Sequence, residues 1–289
     1  MRHKRSTVNF NPKGIIIISR SYTSLGNMKI AVVGKGGVGK TTIAGTLARF
    51  LARDGYNVLA VDADPNLNLH MSLGIEESIA SRIVPISENA ELIRARTGSS
   101  FGAILRMNPK VDDIVDRFGI VGPDEVKLIV MGTVRAGNSG CMCPENAFLR
   151  ALMSHLVMGT KDVVIMDMVA GLEHLGRGTA RGVNCMLCVV EPGAKSIITA
   201  KRILKLSKDI GIKNFLAVGN KVRGEEQIKL IYKRMEELGI PVIGNVPYDD
   251  ALIRAEIAGK APLDLDPECK AVKAIRELKN KLVEKYFLK

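Results

Sequence analysis

The 289-residue chain contains no tryptophan, and aromatic residues make up only 4% of it. No apolar run reaches the roughly 18 residues that a membrane-spanning helix needs; Ile15 to Ile18 is far too short, and no span is expected. The five cysteines form no evenly spaced framework, which argues for reduced thiols and against a disulfide scaffold. No internal repeat or low-complexity linker divides the chain. Residues 1–27 carry Arg2, Lys4, Arg5, Lys13 and Arg20 but no acid, so they account for five of the twelve net positive charges. The rest is only mildly basic and unclustered, which suits polyphosphates and an acidic partner better than nucleic acid. Neither a nucleic-acid nor a membrane partner is expected.

What remains is an ordinary composition, 46% hydrophobic and 25% charged, enough for one large α/β domain. Residues 1–27 are expected to be a disordered or over-extended basic extension, and 28–289 a single domain. Apolar β-rich runs recur at Ile30–Val33, Val58–Val61, Val126–Met131, Val163–Met166, Met186–Val190, Phe215–Val218 and Val242–Ile243, with helical segments between them. That alternation predicts a doubly wound, mostly parallel sheet with helices on both faces. Residues 74–124 are the least regular and are expected to form helices and loops at one edge. From Pro267 to Lys289, Val272, Ile275, Leu278, Leu282 and Val283 recur at helical spacing without the Phe/Trp-rich face of a membrane foot. A closing helix packed on the sheet is predicted.

The run Gly34-Lys35-Gly36-Gly37-Val38-Gly39-Lys40-Thr41-Thr42 carries the most chemistry. It satisfies G-x-x-x-x-G-K-[ST], follows a β-branched run and precedes a helical pattern from Thr41 to Arg53, the order a phosphate-binding loop requires. Glycines let backbone N–H groups turn toward phosphate, Lys40 reaches the β/γ oxygens, and the Thr41 hydroxyl is placed to ligate Mg²⁺. ATP and Mg²⁺ are the expected cofactors. Val58–Val61 ends in Asp62-Ala63-Asp64, carboxylates at the crevice end of a strand. Asp64 is a candidate to orient the attacking water and Asp62 to support Mg²⁺ or its water shell; a helix cap or a solvated turn is the alternative for each. Val163–Met166 ends in Asp167, a candidate to hold Mg²⁺ through water. Asn220, Lys221 and Pro247 are candidate contacts to the base, with plain loop chemistry as the other reading.

Lys35, directly after the first glycine, points away from its own nucleotide and needs another target. Cys141 and Cys143 supply half of a tetrahedral thiolate site for Zn²⁺ or another thiophilic ion, and a twin subunit about a two-fold axis would supply the other half. A redox switch or two exposed thiols are the other readings of the pair. A face-to-face dimer would also let Lys35 cross to the partner's phosphates as a trans cation. Cys185, Cys188 and Cys269 read as buried core thiols.

The loop G-K-G-G-V-G-K-T with D-x-D-P at the next strand resembles the MinD/ParA/nitrogenase iron protein class of dimerising P-loop ATPases, a SIMIBI-like fold. Gly140-Cys-Met-Cys-Pro-Glu-Asn-Ala147 and Ala170-Gly-Leu-Glu-His-Leu-Gly-Arg-Gly178 are most similar to the CooC-type nickel-insertion ATPases that serve carbon monoxide dehydrogenase, and the likeness runs from Met28 nearly to the C-terminus. The resemblance implies ATP-dependent homodimerisation, ATP hydrolysis, a cytoplasmic location, carbon monoxide dehydrogenase as partner, and Ni²⁺ or Zn²⁺ at the interface. On this reading Lys35 is the signature lysine, Lys40 and Thr41 bind phosphate and Mg²⁺, Asp64 orients water, and Cys141 and Cys143 ligate the metal. Val169 departs from the acid expected before Ala170-Gly171. Two rival readings are an iron–sulfur electron-transfer ATPase and a MinD/ParA-like positioning ATPase.

Overall fold

The computed structural model describes residues 28–64, 66–98, 106, 108–132, 144–158, 163–168 and 182–287, with backbone alone at 8–10, 16–18 and 286–287. Two short strands, β1 (Val8–Phe10) and β2 (Ile16–Ile18), pair antiparallel. Both strands lie in the basic segment 1–27, and Ile16–Ile18 supplies β-branched residues for the pairing.

The main sheet has eight strands: β3 (Lys29–Gly34), β4 (Val58–Ala63), β5 (Ile120–Val121), β6 (Lys127–Val130), β7 (Val163–Met168), β8 (Cys185–Val190), β9 (Phe215–Val222) and β10 (Val242–Pro247). Their order is β10-β9-β8-β3-β7-β4-β6-β5, with every neighbouring pair parallel except β5 with β6. This is the doubly wound α/β architecture expected from the sequence. The central strands are apolar at nearly every position because both faces are covered. Along β7, Val164 and Met166 enter one core while Val163 and Ile165 enter the other, following the two-residue period of a strand.

The first core packs the helices Pro144–Met158, Ala194–Ile210 and Glu225–Glu237 on the sheet through residues such as Phe148, Leu152, Ile203 and Ile231. The second packs helix α1 (Lys40–Arg53) and the closing helix Lys270–Leu282, burying Ile43, Leu47 and Leu51 with Val272, Ile275, Leu278 and Leu282. Each buried Leu or Ile contributes roughly 1.5–3 kcal/mol. The apolar stripe of the C-terminal helix is therefore spent on the sheet, as its spacing predicts.

The short antiparallel β5 lies inside the irregular stretch 74–124 and closes one edge of the sheet. More important for chemistry is the centre. β3 lies between β7 and β8, so the connections on its two sides diverge and leave a crevice at the C-terminal strand ends. Val32 is in register with Asp167, and Asp62 with Asp167, which sets both acids beside the start of the glycine loop.

Candidate active site

The glycine loop joins β3 to α1, and its shape depends on two close approaches. A Cβ on Gly34 would lie 2.5 Å from the Val189 carbonyl oxygen in β8. Gly39 caps α1 in the left-handed region at φ 93°, and a Cβ there would lie 2.3 Å from Asn220 Nδ2. Only glycine fits at that position, and with Gly37 also left-handed the loop N–H groups can turn toward an anion.

Three acids stand around this loop. The Thr41 hydroxyl donates to Asp167 Oδ2 at 2.6 Å, joining the start of α1 to the end of β7. Asp167 is fully buried, and its Oδ1 has no hydrogen-bond partner among the described residues. Burial pushes its carboxyl up to about 7, against the pull of the Thr41 bond. Lys40 Nζ lies 3.6 Å from Asp64 Oδ2, with both side chains nearly buried. Asp64 Oδ1 accepts from the backbone N–H and the Nδ2 of Asn66 at 3.0 and 2.8 Å.

Asp62, expected to support Mg²⁺ or its water shell, also accepts two backbone bonds. Its Oδ1 accepts from the Asp64 N–H at 3.2 Å and its Oδ2 from the Leu69 N–H at 3.0 Å. The carboxylate thus braces the loop that carries Asp64. Burial raises its carboxyl to about 6 while the two backbone bonds pull the other way.

A divalent ion arriving with a nucleotide fits Thr41 and Asp167. The orphaned Asp167 oxygen is a buried acceptor awaiting a cation, and its hydroxyl neighbour is the usual companion ligand in a phosphate loop. Among the described residues no group of three or more His, Cys, Asp or Glu forms a metal cage. Mg²⁺ keeps water and phosphate oxygens as most of its ligands and needs few from the protein. When bound, Mg²⁺ supplies positive charge to the phosphates. Lys40 adds a second charge at the same place, and Asp64 presents a carboxylate at the mouth of the crevice.

These residues border a cleft of about 620 Å³ that runs from Gly36, Lys40 and Thr42 past Asn220 to Pro247 and Tyr248. Pro247, a candidate base contact, lines this cleft. Asn220 and Lys221, expected to touch the base, line the cleft and reach the glycine loop: Asn220 Nδ2 donates to the Val38 carbonyl and Lys221 Nζ to the Gly37 carbonyl, each at 2.7 Å. β9 continues to Val222, beyond the strand read from the sequence, and the left-handed backbone at Lys221, φ 56°, breaks the strand alternation so that two consecutive side chains reach the loop. Lys35 is half-exposed at the loop, with its Nζ 3.4 Å from the Gly36 carbonyl. Cys141, Cys143, Ala170, Gly171, Glu173 and His174 lie outside the described residues. Cys185, Cys188 and Cys269 are buried free thiols.

Three contacts beside the cleft had no role in the sequence reading. Glu191, at the end of β8, meets Lys221 Nζ at 3.2 Å. The Arg223 guanidinium stacks 3.6 Å above the Tyr248 ring. Asp249 takes N–H bonds from Ala251 and Ala271 and so ties two helix starts behind the cleft wall. An aspartate just before the helical pattern from Asp250 was the available cap signal; nothing local marks Glu191.

The profile of the CobQ/CobB/MinD/ParA nucleotide binding domain matches residues 29–263. The chain is 47% identical to the uncharacterised ATP-binding protein MJ0823 of Methanocaldococcus jannaschii, over 89% of this chain and 98% of that protein. It is 43% identical to the carbon monoxide dehydrogenase accessory protein CooC of Rhodospirillum rubrum, over 84% of this chain and 92% of that one. Its fold is similar to that of MinD in the Aquifex aeolicus MinC:MinD complex, with TM-score 0.63 at 22% identity over 89% of this chain and 96% of that chain. A ParA family ATPase from Chlorobium tepidum gives TM-score 0.64 at 20% identity, over 87% and 98%. With that coverage, and with Lys40, Thr41, Asp64 and Asp167 gathered at one glycine loop, the chain belongs to the CobQ/CobB/MinD/ParA nucleotide-binding family, as a CooC-type P-loop ATPase.

Proposed function

We propose that this ATPase is a maturation factor that dimerises around ATP, carries Ni²⁺ or Zn²⁺ as cargo between the Cys141 and Cys143 thiolates of two subunits, and assists nickel insertion into carbon monoxide dehydrogenase. The observation that carries the reading is the 43% identity to the accessory protein CooC along 92% of that protein's length. Lys40 and Thr41 hold the phosphates with Mg²⁺, and Asp64 orients the attacking water. Lys35 reaches the partner's nucleotide; its exposure at the loop mouth supports that role. The Cys-x-Cys pair gives two thiolates per chain, and two-fold symmetry makes four without any further ligand. Hydrolysis then opens the dimer and frees the ion.

A positioning role at a membrane has less support. Residues Val272, Ile275, Leu278 and Leu282, the apolar stripe of the C-terminal helix, are buried on the sheet, and among the described residues no helix is long and apolar enough to cross a membrane.

The test is native mass measurement with metal analysis, with and without ATP, on wild type and Cys141→Ser. The expected result is one Ni²⁺ or Zn²⁺ per ATP-bound dimer in wild type, and an ATP-bound but metal-free Cys141→Ser protein. Unchanged metal content in the variant would overturn the shared thiolate site. An iron–sulfur chromophore in anaerobically purified protein would replace it with an electron-transfer role.

A further inference from the structure

Lys221 stands in a conformation that lysine seldom adopts. Its φ is 56°, in the left-handed region, one residue before β9 ends at Val222. Glycine or asparagine would take that conformation more easily, so an L-residue with a long side chain is retained there at a cost. Backbone strain of this kind persists where the surrounding structure fixes it and is concentrated at working sites.

The side chain explains the strain. Lys221 Nζ donates to the Gly37 carbonyl at 2.7 Å and pairs with Glu191 Oε1 at 3.2 Å. The preceding residue, Asn220, gives its Nδ2 to the Val38 carbonyl. Two consecutive residues of β9 thus take two consecutive carbonyls of the glycine loop. Glu191 is itself anchored, since its N–H donates to Ser196 Oγ at 3.0 Å. The ends of β3, β8 and β9 are joined at the tip of the loop.

We propose that Lys221 is a positioning residue that sets the tip of the P-loop for phosphate, with Glu191 as its counter-ion, and that it does not read the base. Gly37 is left-handed at φ 75° with no atom within 4 Å of where its Cβ would stand, so no side-chain packing holds the peptide that joins it to Val38. The N–H side of that peptide bonds the Lys35 carbonyl at 3.3 Å, and its carbonyl side is held by the Lys221 ammonium. Holding the Gly37 carbonyl on the sheet side keeps a negative dipole from turning toward the phosphates. It also leaves the neighbouring N–H groups directed into the cleft. The arrangement is in place before nucleotide arrives, so less freedom is lost on binding. The inference rests on ATP filling the cleft and is independent of the metal cargo.

Lys221→Gly separates the two roles of the residue, because glycine accepts φ 56° without strain but offers no ammonium. The expected result is a melting temperature no lower than wild type, with KM for ATP raised roughly five- to tenfold and kcat held within about twofold, the signature of lost ground-state positioning. Lys221→Arg should restore most of the affinity, and Glu191→Gln should raise KM in the same direction by a smaller factor. The ratio of ATP to GTP affinity should not move in any of them. An unchanged KM in Lys221→Gly overturns the proposal, as does a shift in base preference, which would make Lys221 a base contact. Should Lys221→Gly fail to fold, an unchanged KM in Glu191→Gln overturns it equally. Loss of all ATP binding by the wild-type protein would fault the nucleotide reading instead.

Discussion

Thr41 and Asp167 share one short hydrogen bond, 2.6 Å from hydroxyl to Oδ2, while Asp167 Oδ1 stays buried without a partner among the described residues. The carboxylate is therefore satisfied on one side and waiting on the other. A buried acceptor left open is destabilising to the empty protein and useful to a cation-bearing ligand.

Asp167→Asn should accordingly stabilise the empty protein and disable it. Burial lifts the folded-state pKa of Asp167 from 3.8 to about 7, so the ionised form is disfavoured in the folded state. For a carboxyl raised in this way the penalty is absent below pH ~4, grows as pH rises through the window from ~4 to ~7, and is full above it. Neutral asparagine escapes that penalty. The variant should melt higher than wild type by a few degrees, on the order of 2–4 °C, at pH 7.5, and the difference should vanish near pH 4. Hydrolysis should fall by about 10²-fold or more if Asp167 holds Mg²⁺ through water as proposed, because the neutral amide removes that negative charge. Differential scanning at the two pH values with a phosphate-release assay checks both halves, and a lower melting point at pH 7.5 would refute the sign.

Gly39→Ala and Gly37→Ala should differ although both glycines have positive φ. At Gly39 the new methyl meets Asn220 Nδ2 at 2.3 Å, which displaces the amide from the Val38 carbonyl. At Gly37 the methyl enters open space and only backbone strain remains. Gly39→Ala is expected to cost about 2–4 kcal/mol in stability and to abolish measurable ATP binding, whereas Gly37→Ala should cost about 1 kcal/mol. Urea titration with a nucleotide-binding assay tests the ranking. Equal effects would mean that Asn220 yields freely.

The loop, Asp64 and Asp167 were legible because each is marked locally: an apolar run, then glycines or an acid, in the order that the sheet imposes. The parallel sheet was legible for the same reason, since strands buried on both faces read as continuous apolar runs. The partners of these residues were not. Lys221 meets Gly37 across 184 positions and Asn220 meets Val38 across 182, and only the placement of β9 brings them together. The strand boundary hid this, because Asn220 and Lys221 are polar and look like loop, yet β9 runs to Val222. Asp62 shows the opposite difficulty. Its place at the strand end was legible, but no local signal reveals that each of its oxygens accepts a backbone N–H, from Asp64 and from Leu69.

Arg49 and Arg53 lie one turn apart on α1 and should respond very differently to truncation. Arg49 is 2% exposed and donates to Asp124 and Asp264 at 2.6 Å each. Burial works against its charge, but the hydrogen bonds it donates to the Asp264 and Asp124 carboxylates outweigh this and hold the guanidinium above its ordinary pKa. Arg49→Ala leaves two carboxylates facing a cavity and is expected to cost about 3–5 kcal/mol. Arg53 reaches Asp124 with a side chain 42% exposed to screening water, and Arg53→Ala should cost less than about 1 kcal/mol. Chemical denaturation of the two variants decides the matter; a cost at Arg53 matching that at Arg49 would show that Asp124 depends on both arginines equally.

Thiol chemistry separates the cysteines by their surroundings. Cys185 and Cys188 alternate across β8 into the two cores, both fully buried, and burial pushes each thiol up to about 12. Cys269, at the start of the closing helix, is also raised, by burial first and then by the charges of Asp249 and Asp266. The thiolate is the reactive form, so at pH 8 the two strand cysteines should label at least roughly 10³-fold more slowly than an ordinary exposed thiol. On the proposed shared thiolate site, rapid labelling of the native protein is expected at Cys141 and Cys143, and Ni²⁺ or Zn²⁺ should suppress it when ATP is present. Peptide mapping by mass spectrometry after a short pulse of reagent reads each site separately. Fast modification of Cys185 or Cys188 would show that β8 opens in the native state. Labelling of Cys141 and Cys143 that ignores added metal would remove the thiolate pair from the cargo site.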